Sequence, residues 1–284
     1  MMERRRLVRV PASSANLGPG FDSFAVALSL SLEVEVTETG SFSVESDLDL
    51  PLDRGNFVVQ GFERLHPADD FSFRISSSIP LSGGLGTSAA SFVAGLMAAD
   101  HIFELDAPLL ALASELDNAP DNSAASLLGG FVIAVDGEAV RFEPPDGLEG
   151  VLVVPEERVP TAQARAALSA QVAREDAVFN LAHASILTLG LATGDLELVS
   201  RGLEDRLHQQ ARAHLYPKSA ELLDGAREAG ALGATISGAG PSVLAWTSYE
   251  ATGSVVERLT ALAEGWATVQ RVGFEPAGAD VSEL

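Results

Sequence analysis

Apolar and polar residues alternate along several stretches of this chain, and a period of two residues is typical of strands that bury one face. In residues 28–36, leucines and valines alternate with serine and glutamate, and residues 71–75 repeat the pattern with phenylalanine and isoleucine. A third apolar run, residues 131–135, directly follows two glycines. We therefore predict three strands in the first half of the chain.

The same half also contains patterns with the helical period. Apolar residues over 92–97 are spaced for one buried stripe, which predicts a helix. Asp106 and Pro108 are residue types that begin helices, so they predict the N-cap and first turn of a second helix through 109–116.

The second half of the chain mixes the two periods without regular alternation. We predict a strand at 150–155, helices near 174–191, 195–208 and 217–229, and a strand, a glycine turn and a strand over 233–246. Such an irregular order is typical of the α+β class. Because the turn-rich residues 144–147 interrupt the pattern, we predict two domains, 1–147 and 148–284.

Composition excludes several classes of protein. With 46% hydrophobic and 20% charged residues, the chain has the balance of a folded protein rather than a disordered one. Its 18 basic and 40 acidic residues give a formal net charge of −22, which opposes nucleic acid or an anionic membrane as a partner. Cysteine is absent, so disulfides and thiol chemistry are excluded. The basic start lacks the apolar run of a signal peptide, and no 18-residue apolar segment occurs, so we expect a cytoplasmic protein.

Residues 79–91 carry the strongest candidate chemistry. In this segment Gly83, Gly84 and Gly86 precede hydroxyl residues that begin the helix predicted over 92–97. Glycine permits positive φ and close approach, so successive backbone N–H groups can converge on an anion at a helix N-terminus. No lysine follows, and the spacing differs from the dinucleotide motif. The segment indicates a nucleotide triphosphate site, and an ordinary loop with an N-cap is the alternative.

Two further glycine-rich segments lie near the ends of the chain. Residues 11–22 read PASSANLGPGFD, and residues 233–242 read GATISGAGPS. Together with 79–91, in this order, they resemble the three motifs of the GHMP small-molecule kinases, and 11–22 is most similar to the members that phosphorylate L-homoserine. The resemblance covers nearly the whole chain. It implies an N-terminal domain with a left-handed βαβ crossover, a ferredoxin-like C-terminal domain, ATP and a small substrate bound between them, and a homodimer.

The resemblance also implies which residues hold ATP and Mg²⁺. The phosphate-binding residues would be Pro80, Ser82, Gly83, Gly84, Leu85, Gly86, Thr87, Ser88 and Ala89. Asn56 would line the adenine and ribose pocket. Ser88 and Glu115 resemble the hydroxyl and carboxylate ligands of Mg²⁺, an ion that takes few protein ligands. By residue type alone, Asn56 and Ser88 are equally typical of helix N-caps, and Glu115 of a solvated helical face.

For the substrate, the resemblance implies a site that recognises both charges of an amino acid. Arg165 and Arg212 resemble the residues that bind its carboxylate, for which arginine offers bidentate pairing that lysine cannot. Asn16 and Asp22 resemble the contacts to its amino group.

The acceptor hydroxyl would lie near Asn122, again by resemblance. Asp121 is a candidate general base, but a loose transition state demands little of the nucleophile, so we favour positioning by Asn122 and direct transfer. The chain departs from the family pattern at Ala119, where a histidine is common, and at 123–126. Two alternatives therefore stay open: a GHMP kinase with another hydroxy-acid or polyol acceptor, and a GHMP-fold sensor that binds ATP and a metabolite without turnover.

Overall fold

The computed structural model describes residues 4–81 and 83–284. In chain order the strands are β1 (Arg5–Ala15), β2 (Phe24–Glu38), β3 (Ser43–Ser46), β4 (Phe71–Ser77), β5 (Phe131–Val135), β6 (Glu138–Phe142), β7 (Leu148–Pro155), β8 (Gly233–Ile236), β9 (Val243–Ser248), β10 (Ala267–Val272) and β11 (Asp280–Glu283). The α-helices are α1 (Phe57–Glu63), α2 (Thr87–Phe103), α3 (Leu109–Asp117), α4 (Pro120–Leu128), α5 (Thr161–Ala166), α6 (Arg174–Thr193), α7 (Leu196–Gly202), α8 (Gln209–Arg212), α9 (Pro217–Gly225) and α10 (Thr252–Leu262). Within these ranges, no helix combines the length and apolar character needed to cross a membrane.

The first sheet has seven strands in the described residues. Its order is β11-β1-β2-β4-β3, and β5 pairs with both β2 and β6. Val10 of β1 lies opposite Leu32 of β2, and both side chains are buried in the core. The pairing register shifts between Pro11 and Ala12. Such a bulge bends a strand, here at the start of the first glycine-rich segment.

A βαβ unit lies at one edge of this sheet, because the parallel strands β3 and β4 are joined by α1. Helix α1 packs closely on α2: a Cβ at Gly95 would lie 1.9 Å from the carbonyl oxygen of Val58. Only glycine permits this approach of the two helices. The left-handed crossover stays a prediction.

The second sheet is antiparallel and has the order β10-β7-β9-β8. Helices α5–α9 lie between β7 and β8 in the chain, and α10 lies between β9 and β10. This is the β-α-β-β-α-β order of a ferredoxin-like domain, as predicted. One face of the sheet packs Val151 and Val243 against α9 and α10, while Leu152, Leu244 and Trp246 belong to the core of the first sheet. The two halves therefore share the hydrophobic core between the two sheets, and the other face of the second sheet has a cluster of its own.

The last strand, β11, pairs with β1 of the first sheet. The boundary between residues 147 and 148 stays a prediction, and it divides the strands of the two sheets except for β11.

Three predicted helix limits differ from the structure, and one of them is the end of the helix predicted near 217–229, which lies at Gly225. The helix predicted over 195–208 ends at Gly202, because the Asp205 carboxylate accepts the backbone N–H groups of Leu207 and His208 and so favours a turn there. Asp106 is not an N-cap: its φ is +53°, and Pro108 occupies the N-cap position of α3. The N–H of Ala107 instead donates to Asp100.

Candidate active site

The three glycine-rich segments meet where the two sheets join. Backbone and hydroxyl hydrogen bonds connect them: Ser13 N to Leu85 O at 3.2 Å, Gly238 N to Ala15 O at 3.1 Å, Ser242 N to Gly83 O at 3.2 Å, and Ser237 Oγ to Gly84 O at 2.7 Å. Segments that are far apart in the sequence thus form one continuous surface, which begins at the N-terminus of α2.

Two glycines in this surface have no substitute. Gly84 has φ +75°, and a Cβ there would lie 2.1 Å from the carbonyl oxygen of Ser237. Gly86 has φ +66°, and a Cβ there would lie 2.0 Å from Ser13 Oγ. Gly86 is also the N-cap residue of α2 and has no side chain to cap the first N–H groups. An anion can take that place, because the N-terminus of a helix favours negative charge.

Most of the other predicted ATP-binding residues belong to the same segment of the sequence, and Asn56 lies at the start of α1. Leu85 and Ala89 are buried. Pro80 lies before the glycines, and its carbonyl oxygen is 3.5 Å from the Thr87 hydroxyl. Ser82 lies outside the described residues. Asn56 is the N-cap of α1: its Oδ1 accepts from Val58 N at 2.9 Å, and its Nδ2 donates to Pro51 O at 2.8 Å.

The structure does not bring together the two predicted magnesium ligands. Ser88 Oγ donates to Asp117 Oδ1 at the end of α3. The Glu115 side chain is 65% exposed and pairs with Arg64 at 3.1 Å. Burial raises the pKa of Asp117, and the Ser88 hydrogen bond opposes that shift. No group of three or more His, Cys, Asp or Glu side chains suited to a metal occurs among the described residues. A hydroxyl and one carboxylate nevertheless fit Mg²⁺, which keeps most of its ligands as water and phosphate oxygens.

Asn122 and Asp121 lie beside the loop at the start of α4. Asn122 Oδ1 accepts from Ser13 Oγ at 2.8 Å, and it would lie 3.0 Å from a Cβ at Gly86. Asp121 is buried and accepts the backbone N–H of Asn122 at 2.8 Å. Burial raises the pKa of Asp121 to about 6, and nearby Asp22 adds to the shift while Arg165 opposes it.

Asp22 and Arg165, predicted to bind opposite charges of the substrate, bind each other. Two hydrogen bonds of 3.1 and 3.2 Å join their side chains, and both remain more than 40% exposed. Asn16 holds the loop below them: its Nδ2 donates to Gly238 O at 2.7 Å, and its Oδ1 accepts from Asp22 N at 2.9 Å. The Asn16 amide thus connects the first motif to the third.

Arg212 is in a different environment, because its residue is only 2% exposed. Its guanidinium donates to three neutral acceptors: Ala164 O at 3.0 Å, His208 Nδ1 at 3.3 Å and Gly238 O at 3.4 Å. Its Cζ lies 5.2 Å from the centre of the Phe21 ring. No carboxylate of a described residue forms an ion pair with it. A buried guanidinium without a counter-ion is a site for an anionic ligand, because arginine stays charged in proteins.

His208 is a residue of this site that the sequence reasoning missed. Its side chain is fully buried, with Nε2 2.9 Å from Gly18 O. Since arginine can only donate, Nδ1 must accept from Arg212, and the imidazole is the neutral tautomer with its proton on Nε2. Burial lowers the pKa of His208, which favours this neutral form. In the sequence near His208, the one hint of an ordered turn was Asp205, because aspartate is a residue type that often caps helices.

Comparison with known proteins agrees with this architecture. Family models of the GHMP kinases match in both halves, the N terminal domain over residues 56–130 and the C terminal one over residues 187–264. The crystal structure of homoserine kinase from Cytophaga hutchinsonii superposes with a TM-score of 0.89 at 29% identity, covering 99% of this chain and 98% of that one. The chain therefore belongs to the GHMP kinases. It is a small-molecule kinase, which implies ATP as the phosphoryl donor.

More specific similarity comes from relatives that are named homoserine kinases. A homoserine kinase of Moorella thermoacetica is 40% identical over 256 residues, which cover 84% of this chain and 86% of that protein. A homoserine kinase of Gloeobacter violaceus is 39% identical, and the match covers 96% of this chain and 98% of that protein. The predicted α+β GHMP kinase fold, with its two domains, is thereby confirmed.

Proposed function

We propose that this chain is a homoserine kinase of threonine biosynthesis. It transfers the terminal phosphoryl group of ATP to the side-chain hydroxyl of L-homoserine, and the products are O-phospho-L-homoserine and ADP. The observation that carries the proposal is the pair of charge arrangements on one side of the site: Arg212 buried without a counter-ion, and Asp22 paired with Arg165 nearby.

An amino acid suits these charges better than a simple hydroxy acid. Its carboxylate can bind Arg212 and Arg165, and its ammonium can take the place of Arg165 as the partner of Asp22. Every charge then keeps an opposite charge, so the ion pair can open without leaving either member unpaired. A ligand with only a carboxylate would leave Asp22 without a partner, which is costly once solvent is excluded.

On the donor side, Gly83, Gly84 and Gly86 allow backbone N–H groups to bind the phosphates at the N-terminus of α2. Mg²⁺, held there by Ser88 and a carboxylate, supplies neutralisation of phosphate charge when bound. The adenine and ribose would lie toward α1 and Asn56.

Asn122 orients the acceptor hydroxyl in line with the donor. Ser13 fixes the Asn122 carbonyl oxygen, so the amide Nδ2 is the donor group that can face the substrate. As the new O–P bond forms and the bond to ADP breaks, the hydroxyl proton leaves to a transferred phosphoryl oxygen. In the competing route, Asp121 accepts this proton as a general base. Its buried carboxylate beside Asn122 makes this route worth testing.

The test is ADP release with a panel of acceptors: L-homoserine, D-homoserine, L-serine, L-threonine, 4-hydroxybutyrate, pantoate and mevalonate. L-Homoserine should give the highest kcat/KM. 4-Hydroxybutyrate should fail because it lacks the amino group, and L-serine because its hydroxyl stops one carbon short of in-line geometry. A preference for pantoate or mevalonate would instead assign another acceptor. Tight ATP binding without turnover of any acceptor would assign the sensor.

The proposal also includes two predictions about the protein as a whole, that it forms a homodimer and that it is located in the cytoplasm. Sedimentation of the purified chain would test the dimer.

A further inference from the structure

Helix α6 is apolar on the side that faces solvent as well as on the side that faces the core. Its inner side buries Leu187 and Leu191. On its outer side, Val178, Leu181 and Leu189 are 59%, 70% and 51% exposed. A surface helix ordinarily has a polar outer face, and a helix that is apolar all round is typical of a buried position. The outer side of α6 is thus left uncovered within one chain.

Charge is also missing from this helix. Residues 177–194 contain no Asp, Glu, Lys or Arg, although these make up 20% of the chain. Two longer uncharged runs, 75–99 and 229–249, contain the mostly buried helix α2 and the mostly buried strands β8 and β9. The uncharged α6 is instead exposed along one face. We call the residues of this face the α6 stripe: Val178, Leu181, Ala182, Ser185, Leu189 and Ala192.

The α6 stripe is symmetric in its spacing about Ser185. Leu181 and Leu189 lie four residues before and after it, and Val178 and Ala192 lie seven residues before and after it. Residues at these spacings share one face of a helix. When two copies pack antiparallel about a two-fold axis at Ser185, Leu181 of each copy lies against Leu189 of the other. The surface is therefore complementary to itself.

The centre of the stripe suits close packing of two helices. Ser185 is small, and its hydroxyl donates to Leu181 O at 2.7 Å within its own helix. Its proton is thus already used, so a second helix can cover it without leaving a donor unpaired.

Electrostatics favours a second copy in this orientation. Two chains of net charge −22 repel each other, so they meet best at a surface free of acidic residues. At the ends of the stripe, the exposed Arg174 comes near Asp195 and Glu197 of the second copy, all on the surface. Asp176 is turned away from the stripe and pairs with Arg206 at 3.8 Å.

The size of the surface is that of a protein contact. Helix α6 has 20 residues, and its outer face offers on the order of 300 Å². A groove of about 550 Å³ adjoins the stripe, lined by Ala182, His183, Ile186, Arg201, Glu204 and Arg227. Stripe and groove together have an apolar centre and a charged margin, and they extend the patch toward the roughly 800 Å² that each partner buries in a stable complex.

We propose that the α6 stripe is the contact surface of a two-fold dimer of this chain, with the two α6 helices antiparallel. The inference rests on the homodimer of the proposed function and assigns its surface. The stripe is separate from the kinase site, because α6 contacts the first glycine-rich segment by its inner side, where Asn180 Nδ2 donates to Pro19 O at 3.3 Å.

Sedimentation equilibrium of the full chain tests the surface by giving the dissociation constant of the dimer. Leu181→Glu and Leu189→Glu each place a carboxylate at two points of the contact, so each should raise the constant at least about a hundredfold. The control is Leu262→Glu, the same change at a leucine of α10 that is 56% exposed and lies outside the stripe. It should change the constant by less than about threefold.

A charge swap tests the antiparallel orientation. The double variant Leu181→Lys/Leu189→Glu should dimerise at least about tenfold more tightly than Leu189→Glu, because each lysine then lies against a glutamate of the second copy. In a parallel pair the like charges would meet, and a double variant no tighter than the single one would overturn the antiparallel pairing. Added salt should tighten the dimer of the unaltered chain, since it screens the repulsion between two acidic chains.

A chain that stays single at every protein and salt concentration would overturn the proposal. So would a dimer that both glutamate variants leave intact, which would place the contact elsewhere. Binding of the single chain to vesicles of zwitterionic phospholipid would assign the stripe to a lipid surface instead. Circular dichroism checks that each variant is folded, and Leu181→Ser replaces any that is not. The proposed kinase function fails by a different result, namely absence of L-homoserine turnover by the unaltered chain, whether single or paired.

Discussion

The phosphate-binding loop and the amino-acid side of the site are built on different principles. In the loop, the shape is set by backbone: Gly84 and Gly86 approach Ser237 and Ser13 so closely that no side chain fits. On the amino-acid side, the shape is set by charge: Asp22 and Arg165 pair with each other, and Arg212 is buried among neutral acceptors. Under the proposed function, we expect the loop to bind the phosphates of the nucleotide and the charges to select the acceptor.

Within the amino-acid side the two arginines also differ. Arg165 is 41% exposed and already paired, so losing it exposes one charge to water. Arg212 is buried and donates to His208, so its loss would remove a buried guanidinium for which we propose the substrate carboxylate as counter-ion. We expect their substitution to have unequal effects.

The largest expected effect is that of Arg212→Ala. It should reduce kcat/KM for L-homoserine by about 2–5 kcal/mol of transition-state binding, because the substrate carboxylate would lose its buried partner and keep only the exposed Arg165. Arg212→Lys should restore only part of the lost kcat/KM, since lysine cannot bind a carboxylate in the bidentate geometry of arginine. The control is Arg206→Ala, an exposed arginine in the segment just before α8. Equal kcat/KM in Arg212→Ala and the control would contradict the carboxylate role.

The variant Asp121→Asn tests two separate roles of this carboxylate, one in folding stability and one in proton transfer. The pKa of Asp121 in the folded chain is about 6, against an ordinary value of 3.8, so the unfolded chain loses this proton first. Folding stability from this group is therefore full below about pH 4 and falls as the pH rises to about 6. Relative to the unaltered chain, the variant should gain on the order of 3 kcal/mol of unfolding free energy across that window.

The same variant should lower kcat by less than about tenfold if transfer is direct, since a general base contributes roughly 10²–10⁴-fold. Denaturant unfolding at several pH values and steady-state kinetics supply the two measurements. If the variant and the unaltered chain have parallel pH profiles of unfolding free energy, Asp121 is not desolvated in the folded chain. A thousandfold fall in kcat would instead identify Asp121 as the general base.

Gly86→Ala tests the loop. Both positive φ and the 2.0 Å approach to Ser13 Oγ oppose a Cβ, so nucleotide affinity should fall by about 1–3 kcal/mol. Gly137→Ala is the matched control, because Gly137 has φ +80° with nothing within 4 Å of the added Cβ. It should cost backbone strain without loss of nucleotide binding. Equal nucleotide affinity in the two variants, measured by titration calorimetry, would reject crowding as the reason for glycine.

His208 should act on the amino acid through Arg212. His208→Phe keeps a ring beside Phe21 but removes both hydrogen bonds, so KM for L-homoserine should rise about fivefold, near 1 kcal/mol, with ATP affinity unchanged. His208→Gln can still donate and accept, and it should restore most of the lost affinity. If the two variants have the same KM, or if both lose ATP binding, His208 supports the fold rather than Arg212.

The smallest effect is expected for the Asp22–Arg165 pair. A double-mutant cycle with Asp22→Asn and Arg165→Ala should give a coupling in unfolding free energy below about 1 kcal/mol, because both side chains are exposed. Saturating L-homoserine should reduce this coupling further, since the ligand would become the partner of both residues. A coupling that grows with ligand would mean that the ion pair stays closed around the substrate.

The local patterns predicted much of this molecule. The alternating residues of 28–36 became β2, the apolar stripe over 92–97 became α2, and the glycines of 79–91 lie at its N-terminus. These features depend on residues close in sequence, whose period and backbone freedom are visible without a partner. The predicted helix start at Asp106 and the predicted helix end at 208 were wrong, because side chains there compete with the helix for backbone N–H groups.

The sequence by itself determined that glycine-rich segments begin helices and turns, and that arginines and carboxylates suited to an amino acid are present. Only the tertiary structure decided which of them meet. It turned Asp117 rather than Glu115 toward Ser88, set His208 between Gly18 and Arg212, and returned β11 to the first sheet. The physical reason is that helix phase and burial depend on packing between residues far apart in the chain, and no local period records them.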